Sequence, residues 1–359
     1  MGTLGLGGQG VYALDVTDPE SPSFLWEFTD RNDSRLGYTY GRPNVYRLSD
    51  GTWVAFVPAG YNSESEVDFA TKGLPNPGAD THFDNTAGAR SRGVVFAINI
   101  QTGASRAIPI SGSRGLATIQ LADYELDYKL DFMVVGDLNG DVYRVDVADL
   151  GWGDLGSAQV DMLFDGGETR PITAGASIFP DPATGKMVVV IGTGKYVEDG
   201  DREAEIQRQA IYGIRECGKA GSTCSYPVRP TDLVEQVVSL NSAGTYFTMN
   251  QTNVIPDDKR GWLIQLGNPV SSQLVGERVI DMTVPVSFSA GIVAVPSYIP
   301  AHEACSPAGS GAVYVLSALT GGFVFPGPGG GAPTDPIIQL PTPEPPCPTC
   351  VGVLKPANG

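Results

Sequence analysis

The sequence predicts an all-β fold, a β-propeller of about six to seven blades, and three observations lead there. The first is a recurring phrase: a hydrophobic strand, a glycine turn, then G-x-V-Y-x-L-D. It stands as GQGVYALDVTDPE from Gly8, RGVVFAINIQTG from Arg92, NGDVYRVDVADLG from Asn139 and SGAVYVLSALTGG from Ser310. Weaker copies are QAIYGIRE from Gln209 and RGWLIQLGN from Arg260. The second is period-two alternation within each copy, the pattern of strands rather than helices. The third is composition: 46 glycines and 28 prolines among 359 residues supply many tight turns. Helical spacing is scarce, and Asp201 to Gln209 is the best short-helix candidate.

Taken along the chain, the first copy starts without a strand to pair with, so its blade reads as truncated. The chain then reads as the C-terminal part of a longer secreted protein whose leader lies outside the numbering. WVAFVPAGYNSESE from Trp53 pairs with RGVVFAINI. In DFMVVGDLNGDVYRVDV from Asp131, Phe132, Val134 and Gly136 share one face, and Met133 and Val135 the other. Asn139-Gly140 predicts a two-residue type I′ turn. MVVVIGTGKYVED from Met187 reads as a further strand and turn, with GTGKY as the hairpin turn, and GIVAVPSYIPAHEACSPAGSGAVYVLS from Gly291 as a strand pair. The longest connection, Asn62 to Arg92, has the length of a functional loop. A second insertion runs from Gly200 to about Val254 and contains the β-like GTYFTMNQTNVI. Residues 1–325 thus form the propeller, and residues 326–359 a Pro/Gly-rich tail of polyproline or disordered character.

A net charge of −17 repels nucleic acids and anionic lipid surfaces. No run reaches the ~18–20 apolar residues of a membrane span. Of five cysteines, Cys217 and Cys224 flank a short loop that a disulfide would close, Cys347 and Cys350 form C-P-T-C, and Cys305 stands apart. Two histidines, His82 and His302, are too few for the usual zinc sets, and C-x-x-C lacks a thioredoxin-like βαβ setting. Structural disulfides in an oxidising compartment fit these cysteines.

LGYTYGRPNVYRLSDGTWVAFVPAGYNS from Leu36, DFMVVGDLNGDVYRVDV, MVVVIGTGKYVEDGD, RGWLIQL and CSPAGSGAVYVLSALTGG follow the first copy in one order. Together they resemble the C-terminal β-propeller of the PilC/PilY family over nearly all of Gly7 to Gly322. The resemblance implies an extracellular protein at the tip of type IV pili, partnered by minor pilins and by a host or abiotic surface. It also implies roles in pilus biogenesis, retraction and twitching, and adhesion, without enzymatic activity.

The family carries a calcium loop directly before the GDLNG hairpin, and the matching stretch here is DYELDYKLD. The resemblance places Asp123, Glu125, Asp127 and Asp131 at positions one, three, five and nine as Ca2+ ligands, with the backbone carbonyl of Lys129 at position seven. Hard oxygens gathered by a tight acidic loop suit Ca2+. Four carboxylates this close repel one another without a cation. Tyr128 stands at position six, where many calcium loops place Gly.

Other patterns read as structure. Asp137, Asn139 and Asp141 have calcium-loop spacing but belong to a hairpin turn, and Asp199, Asp201 and Glu203 are a weaker metal candidate. ALDVTDPESPSFLWEF resembles the tryptophan-docking motifs of quinoprotein dehydrogenases, so the propeller is quinoprotein-like. A dehydrogenase would need a central pocket lined by Trp and Arg, whereas Trp26 and Trp262 read as blade-packing residues. A third reading is an adhesin that binds glycans or host protein through the Asn62–Arg92 loop.

Overall fold

In the computed structural model, the residues described are 8–61, 93–167, 170–197, 201, 208–218, 224–240, 247–248, 252–267, 276–300 and 309–324. Strands make up nearly all of their regular structure. Strands β1 (Gly10–Asp15) and β2 (Ser23–Thr29) form a pair. Strands β3 (Asn44–Arg47), β4 (Trp53–Pro58), β5 (Val94–Asn99) and β6 (Ser105–Pro109) form an antiparallel meander. A second meander holds β7 (Gln120–Ala122), β8 (Phe132–Gly136), β9 (Val142–Asp146) and β10 (Gln159–Phe164).

The fourth sheet runs in the order β11 (Ser177–Asp181), β12 (Lys186–Gly192), β13 (Ala210–Arg215), β17 (Gly261–Gln265) and β14 (Val234–Glu235), the last pairing in parallel. Strands β15 (Ser239–Leu240) and β16 (Phe247–Thr248) make a small separate pair. The last sheet holds β18 (Val284–Ser287), β19 (Ile292–Ile299) and β20 (Ser310–Ser317).

The sheets stack face to face in chain order, and one apolar layer fills each gap. Val11, Trp26 and Phe28 meet Val57 and Phe96 between the first two sheets. Phe56 and Val95 meet Met133 and Val135 in the next gap. Phe132 and Val134 meet Ile178, Val189 and Tyr212, and Val190, Trp262 and Ile264 meet Val293, Val295 and Tyr314. Strand β8 is buried on both sides because neighbouring residues point into different gaps. Stacking of this kind is how a propeller removes apolar surface from water without a single central core.

Two tryptophans lock neighbouring sheets. Trp26 donates its indole N–H to the carbonyl of Ile100 at 2.7 Å, and its side chain lies against Gly103 in the β5–β6 turn. Trp262 does the same to Ala318 at 2.8 Å and lies against Gly321. Both glycines have left-handed φ, +70° and +71°. The T-G turn of the repeated phrase therefore supplies a turn conformation and a docking surface at one position.

Three expectations change in detail. The copies at Gln209 and Arg260 fall in one sheet, as adjacent strands β13 and β17, so the described residues carry five blade-like sheets. The GTGKY stretch is not a tight hairpin turn: Gly194 bridges Ile172, and the partner of β12, strand β13, begins only at Ala210. The β8–β9 turn spans residues 138–140, with Gly140 alone at positive φ, because the Asp137 carboxylate accepts the N–H groups of Asn139 and Asp141 at 3.0 Å each. That is a type I turn closed by a left-handed glycine rather than type I′.

The Cys217–Cys224 disulfide is present, with Cα atoms 5.3 Å apart. Cys305, Cys347, Cys350, His82, His302, the Asn62–Arg92 loop, Asp199, Glu203 and the tail from Pro326 lie outside the described residues, as does most of the helix candidate. The boundary between Phe325 and Pro326 falls there too; the last described contact of the propeller is the bridge from Leu316 to Phe323.

Candidate metal centre

The acidic stretch is the connection from β7 to β8, and both ends are tied down. Asp131 N–H donates to the carbonyl of Ala122, and Leu130, fully buried, donates its N–H to Arg47 on β3 of the preceding sheet. Connections alternate ends in an antiparallel meander. The acidic loop therefore opens opposite the end from which β4 leads into the Asn62–Arg92 connection.

Between its anchors the loop folds around two carboxylates. Asp123, 8% exposed, accepts the N–H of Asp127 at 3.2 Å and of Tyr128 at 2.8 Å. Asp131 accepts the N–H of Tyr124 at 2.5 Å. These bonds hold Leu126 at φ 58° and Tyr128 at φ 65°. Each left-handed non-glycine residue costs about 1–2 kcal/mol. Both side chains point outward, 78% and 76% exposed, so the turn is specified by its carboxylate acceptors and not by packing. Tyr128 thus adopts the conformation for which many calcium loops use Gly.

The structure brings Asp123, Glu125 and Asp131 together, one carboxylate oxygen from each lying within 4.8 Å of the others. Oxygens on opposite sides of one Ca2+ ion stand about 4.8 Å apart at ~2.4 Å each. The three groups therefore fit a shared hard cation. Asp127 is not in this group. It pairs with the Lys129 ammonium at 3.1 Å and accepts the Lys129 N–H at 2.9 Å. The Lys129 side chain holds the Asp127 carboxyl below the ordinary carboxylate range, with the Lys129 N–H adding to the effect.

Asp131 behaves oppositely. Burial raises its affinity for a proton, and the charges of Asp123, Asp127 and Asp146 push the same way, against the Tyr124 N–H bond. A carboxylate in that position gains from any nearby cation. Beside the loop a cleft is lined by Ser49, Glu125, Asp131, Arg144, Asp146 and Asp149.

Tyr46 joins the site from outside the acidic stretch. Its hydroxyl reaches across from β3 and donates to Asp123 at 3.0 Å. Burial first, and then the Asp123 hydrogen bond, push this phenol up to about 12. Tyr46 lies 77 residues from its partner. No local pattern signals a contact made only when two blades stack.

The other candidates resolve by geometry. Asp137 is fully buried and accepts three backbone N–H groups, from Asn139, Asp141 and Arg114, while Asp141 accepts that of Gly166. Their oxygens are engaged in holding turns. Asp201 receives the Val197 N–H and pairs with Lys195 at 3.4 Å. The cleft where the sheets converge is lined by Tyr40, Arg42, Tyr61, Tyr196, Thr173 and Asp281 among others, with Arg but no tryptophan in its lining.

The family model for the PilY1 β-propeller domain matches residues 1–251. The chain belongs to the PilY1 β-propeller family. It is 27% identical over 368 residues to the type IV pilus biogenesis factor PilY1 of Pseudomonas aeruginosa strain UCBPP-PA14, covering 90% of this chain and 30% of that protein. A PilY1 homolog of Xylella fastidiosa strain Temecula1 is 29% identical over 330 residues, covering 90% of this chain and 24% of that protein. The crystal structure of the Pseudomonas aeruginosa PilY1 C-terminal domain superposes with a TM-score of 0.68 at 26% identity, covering 88% of this chain and 66% of that one. This PilY1-family chain thus spans under a third of these curated relatives' length. The likeness drawn from the repeat motifs is sound, and the relatives carry the name of pilus biogenesis factors rather than enzymes.

Proposed function

We propose that this propeller is a calcium-responsive module of a type IV pilus-associated protein, acting outside the cell in pilus biogenesis, control of retraction and surface adhesion. The observation that supports it is the convergence of Asp123, Glu125 and Asp131 on one point, with Asp131 made unfavourable as a bare carboxylate by burial and like charge. Family membership and the names of the relatives support the pilus setting.

Carboxylates from those three residues would hold the ion, and the ion would supply positive charge that offsets their repulsion. This chain does the rest. Asp123 and Asp131 hold the left-handed turn, and Tyr46 and the Leu130 N–H fasten it to the preceding sheet. Ordering the loop thus sets how two blades meet on one end of the propeller, the surface offered to minor pilins at the pilus tip. Binding only to the folded state stabilises it by about 2.7 kcal/mol at a hundredfold excess over Kd.

Isothermal titration with Ca2+ tests the site: saturable heat from the wild-type chain, lost in Asp131→Ala, is the expected result, and equal negligible heat from both sinks it. The role is tested separately in a strain carrying Asp123→Ala and Asp131→Ala. Wild-type piliation and twitching there would leave an ion-binding site without a regulatory role.

A further inference from the structure

A chain of buried polar groups runs from the acidic loop into the next sheet and ends at a disulfide. Tyr124, the residue after Asp123, packs its ring against Phe132 at 5.1 Å and lies against the core between the third and fourth sheets. Burial raises the pKa of its hydroxyl, and the charge of Glu216 raises it further. Arg144 on β9 sits 4.5 Å over the Phe132 ring, pairs with Asp146 at 2.9 Å and approaches Glu216 at 3.7 Å. Glu216, fully buried just beyond β13, accepts the Met187 N–H at 2.8 Å and the Gly218 N–H at 2.6 Å.

Gly218 lies inside the ring that the disulfide closes. The Cys217 N–H donates to the Tyr226 hydroxyl at 2.8 Å, and Arg260 donates to the carbonyls of Ser225 and Arg215. The chain then returns to the third sheet, where Val228 exchanges backbone hydrogen bonds with Leu163 and Asp165 at 2.9 Å each. The disulfide therefore fastens the segment that straps the fourth sheet to the sheet bearing the acidic loop.

We propose that the Cys217–Cys224 disulfide sets the cation affinity of the Asp123–Asp131 loop, with Glu216 and Tyr124 as the positioning residues that connect them. The proposal rests on the calcium reading above and adds its regulation. The closed ring holds Gly218 where its N–H donates to the Glu216 carboxylate. Without that donor a buried carboxylate loses part of what offsets its desolvation. Glu216 then turns toward Arg144, the cation beside it, and the Tyr124 ring and the N–H that holds Asp131 shift with it. Opening the bond is thiol–disulfide exchange: an added dithiol gives two electrons and two protons, leaves thiols at Cys217 and Cys224, and closes to its own disulfide. Cys224 is half-buried and reachable, while Cys217 is buried. Linkage is reciprocal, so a bound cation also makes the bond harder to reduce.

The test compares four forms of this 359-residue chain: wild type, Cys217→Ser with Cys224→Ser, Tyr124→Phe, and the triple variant. Ca2+ affinity is expected to fall about tenfold when the disulfide is removed, and the same removal to have little effect in the Tyr124→Phe background. Wild-type affinity in the folded double variant overturns the proposal, as does an equal loss in both backgrounds. If the double variant does not fold, Glu216→Gln and Tyr124→Phe with the disulfide intact decide the matter. Each is expected to weaken Ca2+ binding about fivefold, and unchanged affinity in both overturns it. If the wild type binds no Ca2+, the calcium reading fails by itself. Hydrogen exchange at the Tyr124, Asp127 and Tyr128 amides then decides the coupling: faster exchange after reduction supports it, and unchanged exchange refutes it.

Discussion

The indole of Trp262 donates to the Ala318 carbonyl at 2.8 Å while its ring lies so close to Gly321 that a Cβ added there would stand 2.5 Å from Cδ2. One contact thus joins the fourth and fifth sheets through a strand residue and a turn residue. Gly321→Ala meets both the ring and the left-handed backbone, and is expected to destabilise the chain by about 2–3 kcal/mol. Gly103→Ala against Trp26 repeats the experiment at the junction of the first two sheets. Urea denaturation measures both; midpoints equal to wild type would mean that the T-G turns do not lock the blades.

Asp137 is the next point of leverage. Its carboxylate satisfies the N–H groups of Arg114, Asn139 and Asp141 inside the protein. Asp137→Ala orphans all three and is expected to cost about 2–4 kcal/mol, whereas Asp137→Asn keeps an acceptor and costs less. An alanine variant as stable as the asparagine variant would show the turn to be held by its backbone alone.

Tyr46 should influence cation binding at the candidate site through Asp123. Tyr46→Phe removes the hydroxyl that donates to Asp123, and supporting hydrogen bonds of this kind are worth roughly tenfold in metal affinity. Calorimetry with Ca2+ checks it, and unchanged affinity would confine Tyr46 to blade packing.

Glu277 gives the fold a pH dependence of defined sign. It is fully buried, and burial raises its pKa against the bonds from Ser297, Gly267 and Tyr314. An acid whose folded pKa is raised favours folding while it is protonated. Its contribution is complete below the ordinary glutamate value and is lost as pH rises through the folded value. Denaturation from pH 4 to 8 is expected to show wild type losing stability relative to Glu277→Gln as pH rises. A difference that stays constant over the range, or grows in favour of wild type, refutes this.

Much of the fold could be read from residue order because strand faces obey a strict period of two. The division of Phe132 and Val134 from Met133 and Val135 needed only alternation, and the structure places the pairs in different interblade layers. The Cys217–Cys224 pairing was accessible for a similar reason, since a short loop leaves little choice of partner. Counting repeats did not count sheets. The copies at Gln209 and Arg260 look alike, yet they pair edge to edge, because a strand phrase says that a strand exists and not which sheet receives it.

The sequence by itself determined the strand-and-turn repeat, the glycines its turns require, and an acidic nonapeptide of closely spaced carboxylates. These follow from backbone sterics and from charge spacing, both local. Only the tertiary structure decided that Asp127 turns to Lys129 while Asp123, Glu125 and Asp131 converge. It alone brought Tyr46 from the preceding sheet to that loop. Side-chain direction in an irregular loop, and contacts between stacked blades, depend on which surfaces meet, and separation along the chain carries no record of that.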